Sequence, residues 1–190
     1  MYRFKLLWIS LLLLLSPGKE QWVITDTSNL IVNGSTIINK FSCEIPSYDR
    51  LDTLTITRNG KGALLSGNVG LNVQSFDCHN SMMTRDLRKT LHQKEYPRLF
   101  IQFLSLNELP GLTAKAQSVT GLVNIQLAGV TRRLEVSYQI SADADRTIHL
   151  LGFKTIKFTD FNLVPPSKLG GMIKTNDELT VTFHLRIRTI

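Results

Sequence analysis

From Leu179 to Ile187 apolar and polar residues alternate without a break. Leu179, Val181, Phe183, Leu185 and Ile187 hold one parity; Thr180, Thr182, His184 and Arg186 hold the other. Such a run predicts a strand with one dry face and one wet face, because successive side chains of a strand point to opposite sides. The same period recurs along the chain. Leu134, Val136, Tyr138 and Ile140 alternate with Arg133, Glu135, Ser137 and Gln139. Val123, Ile125 and Leu127 form another set, Val69, Leu71 and Val73 a third, and Leu99, Ile101 and Phe103 a fourth. Ile148 to Phe158 reads as a long strand, and Leu30 to Ile45 as one long extended segment kinked near Gly34. Turn residues punctuate the runs at Asn59-Gly60-Lys61-Gly62, Ala128-Gly129 and Ala142-Asp143-Ala144-Asp145. A chain patterned this way predicts an all-β fold of seven to nine antiparallel strands, a closed barrel or a sandwich.

One segment breaks the period. Between Asn80 and Gln93, Met83, Leu87 and Leu91 fall at i, i+4 and i+8. They share one face of a helix, with Arg85, Arg88 and Lys89 elsewhere. Asn80 or Ser81 can cap its start, and Pro97 bars its continuation. This predicts one amphipathic helix between two strands, plugging or lidding the barrel.

The first residues read as an address. Arg3 and Lys5 precede an apolar run from Leu6 to Leu15, and Ser16-Pro17-Gly18 offers small residues for a cut after Gly18. A charged start, a short apolar core and a small-residue site make a secretory signal peptide. The apolar run is about half the roughly 20 residues that a spanning helix needs. Residues 1–18 are therefore expected to be removed, leaving one domain, 19–190, in the periplasm or secreted. Lys and Arg outnumber Asp and Glu by 22 to 15, and loss of Arg3 and Lys5 lowers the net charge from +7 to +5. The excess is modest and scattered. No nucleic-acid partner is expected; peripheral contact with an anionic membrane surface is compatible with it. Export also changes how the two cysteines read. In an oxidising compartment Cys43 and Cys78 are expected to pair; two buried free thiols are the alternative.

Catalytic motifs are missing. There is no Gly-x-Ser-x-Gly elbow, no phosphate-binding glycine loop and no His-Glu-x-x-His. His79, His92, His149 and His184 read as isolated, with His184 a solvated surface residue. Asp77, Asp86 and Asp160 read as turn and capping residues more readily than as acids or bases. No enzyme, metal or cofactor is predicted. What remains is apolar interior. A closed barrel either packs solid or leaves a cavity. Nine Phe and four Met are enough to line one, and Met82 and Met83 suit an adaptable lid. The residues alone leave both readings open.

Five blocks in order resemble the YceI-like lipid/polyisoprenoid-binding family, in particular its cysteine-bearing branch. They are Gly34 to Cys43; Val73 to Cys78 with the helical Met82 to Leu91; Tyr96 to Phe103; Gly129 to Leu134; and Asp160 to Pro166 with Ile173 to Ile187. Two departures stand out. Asn162 occupies a position where many members have Gly, and Arg85-Asp86-Leu87-Arg88 matches the family's helix only in part. The resemblance implies an all-β fold, an eight-stranded antiparallel, lipocalin-like barrel with one amphipathic helix in a connection between strands. It also implies an apolar tunnel holding a long isoprenoid or acyl chain. The inward-facing candidates are Val69, Leu71, Val73, Met83, Leu87, Phe103, Phe153, Phe158, Phe161, Phe183 and Leu185. The rival reading is a solid-cored structural or interaction barrel without a ligand.

Overall fold

The computed structural model describes residues 19–168 and 173–190. The predicted signal peptide therefore lies outside the described residues. In chain order the strands are β1 (Lys19–Ile24), β2 (Asn29–Ser35), β3 (Lys40–Ile45), β4 (Thr53–Asn59), β5 (Gly62–Ser66) and β6 (Asn68–Asn72). Helix α1 (Ser81–Thr90) follows, then β7 (Arg98–Leu106), β8 (Gln117–Leu127), β9 (Val130–Ala142) and β10 (Ile148–Lys157). A two-residue pair, β11 (Ser167–Lys168) and β12 (Ile173–Lys174), precedes β13 (Glu178–Thr189).

The sheet closes on itself as an eight-strand antiparallel ring. β13 pairs with β10 along one edge. Its other edge is shared: Thr180–His184 pair with β2, and Ile187–Thr189 with β1. β1 and β2 thus act as one interrupted strand. β3 and β4 are likewise one, pairing with β2 and β1 in turn. β5 and β6 both pair with β7 and meet at Gly67. A Cβ at Gly67 would stand 2.6 Å from the Thr53 carbonyl oxygen, and its φ of +153° is one that side chains disfavour. From β7 the ring continues through β8, β9 and β10 to β13.

The long extended segment expected from Leu30 to Ile45 is instead a hairpin. β2 runs to Ser35, the chain reverses over Thr36–Asn39, and β3 runs back with Ser35 opposite Lys40 and Leu30 opposite Ile45. No glycine or Asn-Gly pair marks the reversal. Thr36 makes it: its N–H donates to the Asn39 carbonyl at 2.7 Å, and its hydroxyl oxygen accepts from the Asn39 N–H at 3.0 Å. Gly34 does not kink the strand; it faces the ring of Phe41.

Helix α1 forms where the 3.6 period predicts. Asn80 caps it, its side-chain oxygen accepting from the Met83 N–H at 3.0 Å. Leu87 and Leu91 are buried and Met83 packs partly against the core. Arg88 and Lys89 lie in the last turn, where cations suit the helix dipole. Cys43 and Cys78 form a disulfide, so the pairing expected from the sequence is realised. Two hydrogen bonds beside it, Glu44 N–H to the Asp77 carbonyl and Asp77 N–H to the Glu44 carbonyl, tie β3 to the link before α1.

Candidate apolar binding site

The alternation seen in the sequence fills the barrel with hydrocarbon. Beneath α1 this filling is incomplete. A cavity of about 70 Å³ is walled by side chains from β2, β7, β8, β9, β10 and β13, with Leu87 and Leu91 of the helix as its roof and Phe76 and Phe158 at its sides. Leu87 and Phe158 also line a second space of about 190 Å³ between α1 and the β2–β3 hairpin, where Ile38, Lys40, Phe41 and Met83 form the rim. The two spaces share those side chains as a common wall, and the outer one is the mouth that faces the hairpin. Leu30, Ile101 and Phe183 also border a narrow recess of about 10 Å³, lined further by Phe103 and Leu185. Three rings pack together there. Phe183 stands edge-on to Phe103 and Tyr138, with centroids 6.4 and 6.0 Å away.

Most of the predicted interior residues border these three spaces. Leu87, Phe158 and Phe183 line the cavity, Met83 the mouth, and Val69, Leu71, Phe103 and Leu185 the recess. Val73 and Phe161 are buried in the packed core and off the cavity wall. Phe153 is a correction: it is 38% exposed and points outward. The inward positions of β10 are Ile148, Leu150, Gly152 and Ile156. Gly152 hides the parity, because its missing side chain is replaced by the ring of Phe183, which would lie 2.1 Å from a Cβ there. Lys154 shares the inward parity and lines the cavity. The wall is almost wholly apolar, so it is the methylene stem of Lys154 that faces the space. The rim residues Ile38, Lys40 and Phe41 were missed because the hairpin that presents them was read as one strand.

The histidines lie outside the barrel wall. His149 and His184, expected to be isolated, are neighbours. The register sets His149 opposite Arg186 and Leu151 opposite His184, a diagonal within reach of long side chains. His149 Nδ1 and His184 Nε2 are 2.9 Å apart, and His149 Nε2 lies 3.2 Å from Asp143 Oδ2. Partial burial, with His149 and Arg186 nearby, holds the His184 imidazole below its ordinary range. The Asp143 carboxyl is held low by the Thr147 N–H and by His149. His79 Nε2 is 3.3 Å from Glu44 Oε1. Tyr48 donates to Asp52, and burial together with that carboxylate raises its hydroxyl pKa. Burial alone raises that of Tyr138, whose hydroxyl has no partner among the described residues. Asp77 accepts from the His79 N–H at 2.8 Å and Asp160 from the Lys157 N–H at 3.0 Å, so both carry turns. Among the described residues no three His, Cys, Asp or Glu side chains converge as metal ligands. No helix among them is long and apolar enough to cross a membrane.

A family model of the YceI-like domain matches residues 32–187. Solved structures share the fold at low identity. BcnA from Burkholderia cenocepacia is 15% identical over 84% of this chain and 95% of its own, with a TM-score of 0.63. A polyisoprenoid binding domain from Saccharophagus degradans, implicated in plant cell wall breakdown, is 14% identical over 89% and 98%, with a TM-score of 0.64. The YCEI protein of Campylobacter jejuni is 14% identical over 70% and 78%, with a TM-score of 0.53. No curated protein matches the chain. The family match over most of the chain, the closed ring and the helix-roofed apolar cavity agree: this chain belongs to the YceI-like domain family.

Proposed function

We propose that this protein is an exported lipid-binding barrel that holds a long apolar chain, a polyisoprenoid or an acyl lipid, as carrier, store or sensor. One observation carries the reading: an apolar cavity lies under α1, with only Leu87 and Phe158 between it and a mouth at the β2–β3 hairpin, and with Phe183 packed on Phe103 and Tyr138 at its far side. Each methylene buried there contributes about 0.8 kcal/mol, so affinity grows with the length enclosed. The inner space is small as it stands. Loading a chain requires Leu87 and Phe158, which stand where mouth and cavity meet, to turn aside. The aromatic floor confines cargo to the helix end of the barrel. A polar head group would remain at the mouth, near Lys40. The polyisoprenoid binding domain of Saccharophagus degradans has the same fold and supports this choice of cargo. The Cys43–Cys78 disulfide supports an oxidising compartment, periplasmic or extracellular.

Native mass spectrometry of the purified protein, followed by organic extraction, tests the proposal. A stoichiometric bound species of isoprenoid or acyl mass is expected. A bare protein mass, unchanged after incubation with polyprenyl and acyl lipids, would overturn it.

A further inference from the structure

Two isoleucines stand side by side at the tip of the β2–β3 hairpin, Ile37 at 70% and Ile38 at 63% exposure. Turn tips favour Gly, Asn, Asp and Ser, which supply backbone freedom or local hydrogen bonds. Here Thr36 and Asn39 hold the turn between them, with the Thr36 hydroxyl engaging the Ile38 and Asn39 N–H groups. The isoleucine side chains therefore leave branched hydrocarbon in water without serving the turn. Ile38 borders the mouth of the cavity beside Lys40 and Met83.

Helix α1 lies across the same mouth. Its stripe of Met83, Leu87 and Leu91 packs inward. On its outer side Met82 is 51% exposed, and Arg85 and Lys89 are exposed too. The helix and the turn after it line a broad cleft with Arg85, Arg88, Lys89, His92 and Lys94 on its wall, and Glu95 as the carboxylate there. Arg88 spends one amino group on the Phe76 carbonyl at 2.7 Å, while its buried Nε has no partner among the described residues. Asp86 is the acid of α1 and lies on the side facing the mouth.

We infer that this end of the barrel docks on an anionic lipid bilayer. Ile37, Ile38 and Met82 enter the acyl boundary, and Arg85, Lys89 and Lys94 lie against headgroup phosphates. Apolar tips flanked by Lys and Arg are the pairing that an anionic membrane interface binds. A second copy of the chain fits less well, because it would bring like-charged clefts together. The purpose of docking rests on the cargo reading, since it sets the mouth against a reservoir of lipid; the binding itself does not.

Flotation of the full purified chain with vesicles decides it. Vesicles of phosphatidylcholine with phosphatidylglycerol are expected to carry the protein upward, and phosphatidylcholine alone to do so much less. The Arg85→Glu/Lys89→Glu variant is expected to bind anionic vesicles at least roughly tenfold more weakly. Its deficit should shrink at high salt, where screening weakens the wild type as well. Ile37→Ser/Ile38→Ser should lose binding at every salt concentration. Near-ultraviolet circular dichroism and the thermal midpoint check that each variant is folded; where a double variant is not, Lys89→Glu and Ile38→Ser singly serve the same comparison. A wild type that stays at the bottom of the gradient, or variants that float like it, overturns the inference. So does a concentration-dependent dimer that Ile37→Ser/Ile38→Ser abolishes, which would make a second copy the occupant. Native mass of the same samples separates the two proposals. Lipid-laden protein that never floats removes docking and leaves the cargo reading; protein that floats yet carries no lipid does the reverse.

Discussion

The two ends of the barrel are built from the same alternation and differ in what fills them. At the end far from the helix, Trp22, Ile24, Leu54, Ile148, Leu150 and Ile187 are all but fully buried, and β1 closes on β13. Outside that end lies a polar surface carrying Asp143, His149, Arg186 and Arg188. At the helix end, β2 replaces β1 beside β13, a hairpin splays outward, and a ten-residue helix stands in for strand packing. Rigid side chains from eight strands can interdigitate with one another at native density. A single helix laid across a barrel end presents one narrow stripe and leaves space at its edges. The first end is a core; the second has room for a guest.

This contrast is open to attack by substitution. The largest effect is expected from Trp22→Ala in the closed end. It should cost up to about 5 kcal/mol in denaturant unfolding, against about 2 kcal/mol for Leu87→Ala, which removes a side chain already bordering empty space. Equal losses would mean that the helix end is packed as tightly as the closed one. Next comes the disulfide. Cys43→Ser with Cys78→Ser should lower stability by about 4 kcal/mol in the chain-entropy account, since the bond closes a 35-residue separation. The bond ties β3 to the link before α1, so hydrogen exchange should rise first in β2, β3 and α1 while β10 and β13 stay protected. Uniform loss of protection would show that the clip serves the whole barrel.

The smallest effect expected is acid sensitivity, and it belongs to the closed end. His184 is held below the ordinary imidazole range, so the unfolded chain takes the proton more readily. Its contribution to stability is complete above the ordinary imidazole pKa of about 6.5 and is lost as pH falls through the lower folded value. Arg186 and His149 face it and add to the repulsion once it is charged. Asp143 is held below the ordinary carboxylate range, and its contribution is lost at lower pH still. The thermal midpoint of the wild type should therefore fall in two steps on acidification. His184→Gln should remove the first and keep the second. A variant that retains both steps would place the upper one on another group.

Both halves were legible in the sequence to the extent that period two was unbroken. β13 could be read almost to its ends and α1 to its cap, because each repeats one local pattern long enough to exclude the others; β9 was legible over its middle and β8 only over its last five residues, Val123 to Leu127. Reading failed where the inward residue was missing or the tip of the turn carried no Gly, Asn, Asp or Ser. Gly152 concealed the parity of β10 and sent Phe153 to the wrong face. Thr36 to Asn39 reversed the chain with two isoleucines at the tip. His149 and His184 looked separate because only the β10–β13 register makes them neighbours.

The sequence by itself determined the period, the helix, the apolar interior and the family likeness. These follow from chemistry within a few residues of each position: which side of a strand a side chain takes, which residue caps a helix, which cannot continue one. The tertiary structure alone decided where the interior is full and where it is empty. That depends on how side chains from strands distant in sequence meet. Phe183 settles over Gly152 and against Phe103 and Tyr138, and this closes one end. Leu87 and Phe158 meet less completely beneath a helix, and this leaves the other open.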